Sequence, residues 1–212
     1  DYGEGVLLHF VKQWSQGQPI YKAIDSYPYV VANYPPLAIL LALILTPVLG
    51  LSYVAGRIWT LVALVAVTSL IVTWVRRSGG RWLPAAAAGL LFAGSPYVYH
   101  WAPLFRIDLI GLVLTLGGLY AVSAGFGPGD KVPRAGWRRP VLWLAVVLFV
   151  AGLYAKQSFF FAPAAALVYL FFFVDRRSAL ALAAGIALLG GGTFLAANLI
   201  SGGGFWSGLV TA

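Results

Sequence analysis

Long apolar segments with almost no charge constrain this chain more than any other feature. Of its 212 residues, 61% are hydrophobic and only 9% are charged, whereas a water-soluble domain is about 45–50% apolar. Several of its apolar segments approach the ~20 residues that a helix needs to cross a bilayer. The sequence therefore predicts an all-α fold, a polytopic bundle of transmembrane helices. The apolar segments lie at about 36–50, 54–75, 82–101, 108–126, 141–155, 158–174 and 180–200.

Composition also excludes several kinds of site. The chain has no Cys and only two His residues, which excludes disulfides and thiol nucleophiles and argues against a usual zinc site. Its net charge of +8 is explained first by the Lys and Arg that collect in cytoplasmic loops of membrane proteins. No basic surface interleaved with aromatic residues is evident, so no nucleic-acid partner is expected.

The opening segment, residues 1–35, is the only long polar and aromatic stretch. Apolar residues from Val6 to Trp14 recur at helical spacing, which predicts an amphipathic helix lying on the membrane surface. The next apolar segment, 36–50, has 15 residues and contains Pro47. It is shorter than a span requires, so we expect it to be re-entrant or bound at the interface.

These expectations define the predicted organisation. Residues 1–53 form an external loop with amphipathic and juxtamembrane helices, and residues 54–212 form about six membrane helices of a single transmembrane domain. Met is absent even at position 1. We therefore expect further sequence at both ends, including a membrane helix before Asp1.

The basic residues predict the orientation of this multi-pass cell-membrane protein. If six helices alternate in direction, three basic loops lie on the same side of the membrane, together with two acids. The opposite side then holds five Lys or Arg residues and four acids. The positive-inside rule makes the basic face cytoplasmic. If the segment 36–50 did span, the opening segment would instead join the cytoplasmic side. The three basic loops are 76–81, 131–139 and 176–177.

The extracytoplasmic face then collects acids and bases beside apolar helices. An ionisable group next to hydrocarbon costs about 2.5–3.5 kcal/mol on insertion scales and marks a candidate site. A carboxylate can take a proton from an acceptor hydroxyl, and Arg or Lys can stabilise a phosphate leaving group. Plainer roles stay open, namely helix-end acids, snorkelling cations and a local pair between two neighbours. The group comprises Asp1, Glu4, Asp108, Arg57, Arg106 and Lys156.

The order of segments resembles the first external loop of GT-C glycosyltransferases. The resemblance is carried by Asp1-Tyr2-Gly3-Glu4-Gly5, the amphipathic helix, Tyr34-Pro35-Pro36-Leu37 and Gly56-Arg57 at the start of a helix. It is most similar to the branch that contains protein O-mannosyltransferases and the lipid A aminoarabinose transferase. Arg106-Ile107-Asp108 resembles the second acidic position of that family. The similarity covers the whole chain, as the amino-terminal membrane half of such an enzyme.

This resemblance implies an inverting transfer of a sugar from a polyprenyl-phosphate donor to an acceptor hydroxyl on the extracytoplasmic face. Asp1 would be the general base, with Glu4 and Asp108 as further catalytic acids. Two departures matter, since Asp1 and Glu4 are separated and Tyr34 stands where relatives have a phosphate-binding Lys.

Substrate binding is accordingly assigned to Arg57, Arg106, Lys156 and Tyr34. The residues leave open a divalent metal ion between Asp1 and Asp108. They also leave open the sugar and the acceptor, which is a protein, a lipid or a glycan. Two other functions fit the composition. A transporter would place its charges near the bilayer midplane, and a non-catalytic membrane assembly subunit would not depend on the outward charges.

Overall fold

The computed structural model describes residues 2–22, 31–126 and 135–211. Helices dominate this part of the chain and no strand occurs in it, which confirms the predicted all-α fold for the described residues. The α-helices are α1 (Tyr2–Ser15), α2 (Leu37–Leu49), α3 (Tyr53–Arg77), α4 (Trp82–Ala93), α5 (Pro96–Trp101), α6 (Asp108–Gly125), α7 (Ala135–Ala155), α8 (Phe161–Tyr169), α9 (Arg176–Ile186), α10 (Gly192–Ile200) and α11 (Gly204–Trp206). A 3₁₀ turn at Gln157–Phe160 and π-helical turns at Leu170–Val174, Ala187–Gly191 and Ser207–Thr211 join or extend them.

Within the described residues, four helical segments are long and apolar enough to cross a membrane. Within the 18-residue apolar stretch of each segment, at most 39% of the residues are buried inside the protein. Most of each helix surface therefore faces outward. Large apolar side chains such as Val48, Leu83 and Ile200 are 83%, 81% and 88% exposed. Apolar surface on this scale requires a hydrocarbon environment or a partner. The segments are Tyr53–Arg77, Asp108–Gly125, Gln157–Val174 and Arg176–Ile200.

Three apolar segments of the described chain form shorter apolar helices, and one of them is Pro140–Ala155 within α7. The segment 36–50 yields α2, which has 13 residues with Pro47 inside it and is too short to span. The segment 82–101, expected as one membrane helix, is instead two helices of 12 and 6 residues. The break falls at Ser95, which is extended because a residue before proline disfavours the helical conformation.

The described residues divide into two compact units. Unit 1 lies within Asp1–Ile20 and Pro36–Val113, and unit 2 within Tyr21–Pro35 and Leu114–Ala212. In unit 1, α1 buries Leu7, Phe10 and Val11 and packs against α2, which in turn packs against α3. The indole N–H of Trp59 also donates to the carbonyl of Leu41 at 2.7 Å. Helix α1 is thereby joined through α2 to the membrane-length helix α3.

Unit 2 has its own core, built from α6, α7, α8 and α9. Small residues let these helices approach closely, as is common among membrane helices. A Cβ added at Gly118 would lie 2.6 Å from the Phe149 ring, and one at Gly185 would lie 2.7 Å from Val146. Phe149 and Leu182 have no exposed surface, so this core has no room for added atoms.

Replacing Gly118 by Ala is expected to destabilise unit 2. Overpacking a tight core costs about 1–3 kcal/mol, which exceeds the ~1 kcal/mol that Ala gains over Gly in a helix. Gly192→Ala is the matched control, because nothing lies within 4 Å of its added Cβ. Thermal unfolding in detergent should show a lower midpoint for Gly118→Ala and an equal or higher one for Gly192→Ala. Equal midpoints would contradict the packing described here.

Candidate functional site

Glu4 is a buried carboxylate at the start of α1. Its side chain is 4% exposed and faces Arg57, which lies in the first turns of α3. The Nε and Nη2 groups of Arg57 donate to Oε1 and Oε2 of Glu4, each at 2.9 Å. This bidentate geometry is the strongest form of a carboxylate–guanidinium pair. Helix α1 and the membrane-length helix α3 are therefore joined by two charge-assisted hydrogen bonds.

A third hydrogen bond on the same carboxylate reaches the turn before α6. The backbone N–H of Phe105 donates to Oε1 of Glu4 at 2.6 Å, across 101 positions of sequence. Phe105 itself is 1% exposed. Glu4 thus holds together α1, α3 and the turn, three elements that are distant in sequence.

Gly56 lets this turn approach α3. A Cβ at position 56 would lie 2.1 Å from the Phe105 ring, a distance that no real contact allows. The hydroxyl of Thr60, one turn further along α3, is fully buried. Its Oγ1 accepts from the N–H of Arg106 at 3.4 Å and lies 3.3 Å from the Arg106 carbonyl. Glycine and threonine on one face of α3 therefore seat the backbone that precedes α6.

Arg106 and Asp108 lie at the start of α6 and are partly exposed. The Nε of Arg106 is 3.8 Å from Oδ2 of Asp108, with side chains 30% and 33% exposed. The guanidinium of Arg106 also lies 4.5 Å from the centre of the Trp101 ring. Since Thr60 binds the backbone of Arg106, this second acid–base pair belongs to the same end of unit 1 as Glu4 and Arg57.

Hydrogen bonding controls the protonation of Glu4. The Arg57 side chain lowers the pKa of the Glu4 carboxyl below its ordinary value, with the Phe105 amide acting in the same direction and burial opposing them. The carboxylate is ionised at neutral pH and its lone pairs are engaged. This arrangement suits Glu4 to hold a cation and makes it a weak proton acceptor.

The other candidate residues are placed elsewhere. Asp1 lies outside the described residues. Tyr34 and Lys156 belong to unit 2, where both are half-buried. There the Tyr21 hydroxyl donates to the Tyr34 carbonyl at 2.7 Å, and the Gln157 amide donates to the carbonyl of Asn33 at 3.1 Å.

Several residues that contact Glu4 or Arg106 could not be recognised as site residues from the sequence. The amide of Phe105 and the hydroxyl of Thr60 are ordinary groups until the fold aligns them. Gly56 next to Arg57 is the one hint, since a glycine at the start of a membrane helix can mark a close approach. Unit 2 also contains an apolar cavity of about 620 Å³ bounded by Tyr154, Phe194 and Phe205, which the sequence does not reveal.

Within the described residues, no group of three or more His, Asp or Glu could hold a metal ion. No protein-family model, curated protein or solved structure matches the chain.

Removing the cation should destabilise unit 1. Arg57→Gln leaves Glu4 buried without its charged partner, and we expect a loss of about 1–3 kcal/mol. Breaking a fully buried pair costs more, but the Arg57 side chain is 41% exposed. Lys12→Gln on the exposed face of α1 is the control, since it removes the same charge. Equal unfolding midpoints for the two variants would contradict a structural role for the pair.

The stabilisation that Glu4 provides should depend on pH. Its pKa is lower in the folded protein than in the unfolded chain, so the contribution is complete above the unfolded value of about 4.3. It is lost as the pH falls through the folded value. The unfolding midpoint of the wild type should therefore exceed that of Glu4→Gln near pH 7, and the difference should shrink below about pH 4. A difference that grows on acidification would contradict this assignment.

Proposed function

We propose that this protein is a multi-span membrane glycosyltransferase that uses a polyprenyl-phosphate sugar on the extracytoplasmic face. The observation that carries the proposal is the clamp of Glu4 on Arg57. It fixes an exposed guanidinium at the start of a membrane-length helix, beside a second acid–base pair. A guanidinium at the boundary between membrane and water suits a sugar donor whose phosphate lies in water and whose polyprenyl chain lies in lipid.

Arg57 has the geometry of a phosphate-binding residue. Two of its five N–H groups donate to Glu4, and among the described residues no other acceptor contacts it. The remaining N–H groups are available to a phosphate oxygen. Glu4 keeps the guanidinium oriented, which reduces the entropy that would otherwise be lost on binding. In this proposal Glu4 therefore acts mainly by positioning Arg57.

In the proposed sugar transfer, Asp1 and Asp108 act together with two arginines. Asp1 accepts the proton of the acceptor hydroxyl while that oxygen attacks the anomeric carbon of the sugar. The bond between this carbon and the phosphate oxygen breaks, and its electron pair leaves with the polyprenyl phosphate. Arg57 and Arg106 stabilise the charge that develops on the phosphate. Asp108, 3.8 Å from Arg106, orients that second cation.

Unit 2 contains a cavity of its own. Its cavity of about 620 Å³ is bounded chiefly by apolar residues and suits a hydrocarbon chain. Lys156 and Tyr34 stay candidates for substrate binding on their own, and each can be tested by single substitution.

The placement of charge favours an enzyme over a transporter. No Asp, Glu, Lys or Arg occurs within residues 58–75, 109–125 or 178–200, so the middle of each of these spans is apolar. Substrate sites of transporters lie near the midplane and require polar groups there. The transporter and the assembly subunit are therefore alternative outcomes of the assay below.

The test is sugar transfer by the full-length protein in proteoliposomes, with a panel of polyprenyl-phosphate sugars. Asp1→Asn should lower kcat by about 100-fold or more, since general base catalysis contributes ~10²–10⁴. Arg57→Lys should raise KM for the donor more than it lowers kcat, because it keeps the charge and loses the paired donors. Asp175→Asn is the control, an acid that caps α9 in unit 2.

Full turnover by Asp1→Asn would remove Asp1 from the mechanism. Solute flux without any donor lipid would favour the transporter. Retention of biological function after replacement of Glu4, Arg57 and Asp108 would favour the assembly subunit.

A further inference from the structure

The far end of α3 is a tight basic turn that leads directly into α4. The N–H groups of Ser78, Gly79 and Gly80 donate to the last carbonyls of α3 at 3.0 to 3.1 Å. Gly79 adopts a φ of 87°, which glycine tolerates and other residues avoid. The chain therefore reverses within a few residues, and α4 begins at Trp82. This geometry brings the end of one helix beside the start of the next.

Two arginines are held at this turn. The guanidinium of Arg76 lies 4.5 Å from the centre of the Trp82 ring, and its Nη1 donates to the Gly80 carbonyl at 3.0 Å. Arg81 is the N-cap residue of α4 and makes no side-chain cap. Pro84 has no N–H and that of Ala85 donates to the Arg81 carbonyl at 3.1 Å, which leaves the N–H groups of Trp82 and Leu83 at the helix start. A helix start favours negative charge. The turn thus combines two cations with a helix start.

No carboxylate neutralises these cations within the described part of the chain. The sequence contains no Asp or Glu from position 26 to 107. Glu4 is bound to Arg57, which is nineteen residues before Arg76 on α3 and so lies about 28 Å away at 1.5 Å per residue. Within the described residues, Arg76 and Arg81 are therefore open to an anionic ligand.

An apolar groove lies directly below the arginines. It has a volume of about 390 Å³ and is lined by Ile71, Trp74, Val75, Ser78 and Gly80. The first three belong to the last turns of α3, in the segment that is apolar enough to cross a membrane. A hydrocarbon groove that ends at a cationic rim is complementary to a lipid with a negative headgroup.

We propose that the α3–α4 turn is a binding site for an anionic phospholipid. Its phosphate contacts Arg76, Arg81 and the N–H groups of Trp82 and Leu83, and one acyl chain lies in the groove along Ile71 and Trp74. The site lies at the opposite end of α3 from Glu4 and Arg57. It is therefore independent of the proposed transfer reaction and does not require it.

The test is native mass spectrometry of the full-length protein with an equimolar mixture of phosphatidylglycerol and phosphatidylcholine of the same chain length. The wild type should retain phosphatidylglycerol preferentially. The double variant Arg76→Gln/Arg81→Gln should lose this preference by about fivefold or more, as each basic residue near an anionic headgroup contributes substantially. In lipid-free detergent its unfolding midpoint should fall only slightly, because both side chains are exposed and the lost contacts of Arg76 with Gly80 and Trp82 lie at the surface.

The matched control is Arg176→Gln/Arg177→Gln, which removes the same charge at the start of α9 in unit 2. It should keep the preference. An equal loss in both double variants would show general charge attraction and overturn the site. A wild type that retains both lipids equally would also overturn it.

A second variant tests the groove without changing charge. Ile71→Trp fills the groove and should reduce the number of tightly retained phosphatidylglycerol molecules while the arginines stay in place. An unchanged number, in a protein with the wild-type unfolding midpoint, would exclude the groove as the acyl-chain site.

Discussion

The structure of unit 1 depends on one buried carboxylate. Glu4 accepts two hydrogen bonds from Arg57 and one from the amide of Phe105. Burying a charge is costly unless it is paired and its lone pairs are satisfied, and here both conditions are met. Because its three donors come from α3 and from the turn before α6, removing the carboxylate would remove the charged contact that links α1 to both elements. Thr60 and the backbone of Arg106 would still join α3 to the turn.

The pair of Glu4 and Arg57 is important to the structure because the chain has few charged residues. In a chain with 9% charged residues, the long helices carry almost no charge along their apolar lengths. The charged residues of α3 and around α6 lie at the helix ends. At one end of α3 an acid accompanies the arginine, whereas at the other end Arg76 and Arg81 have none within the described chain. The two ends of α3 thus differ in the described partners of their arginines, and each is suited to a different ligand.

Sequence patterns predict the helices well and the site only in part. Apolar length alone identifies α3, α6 and the two long helices after Lys156, because hydrocarbon requires continuous backbone hydrogen bonding. The segment 82–101 was expected to be continuous, but the preference of Ser95 before Pro96 overrides its hydropathy. The proximity of Glu4, Arg57, Arg106 and Asp108 follows from topology. Their detailed partners do not, since a backbone amide and a threonine hydroxyl look the same in sequence wherever they occur.

The contact between Gly56 and Phe105 should restrict which residues homologous proteins can carry at these two positions. Position 56 cannot accept a side chain while an aromatic ring occupies position 105. A larger residue at one position therefore requires a smaller residue at the other. Homologues that keep this arrangement should carry a glycine directly before the arginine and a bulky residue directly before the second basic position. That paired signature, spread over some fifty positions, offers a way to find distant kin that overall similarity would miss.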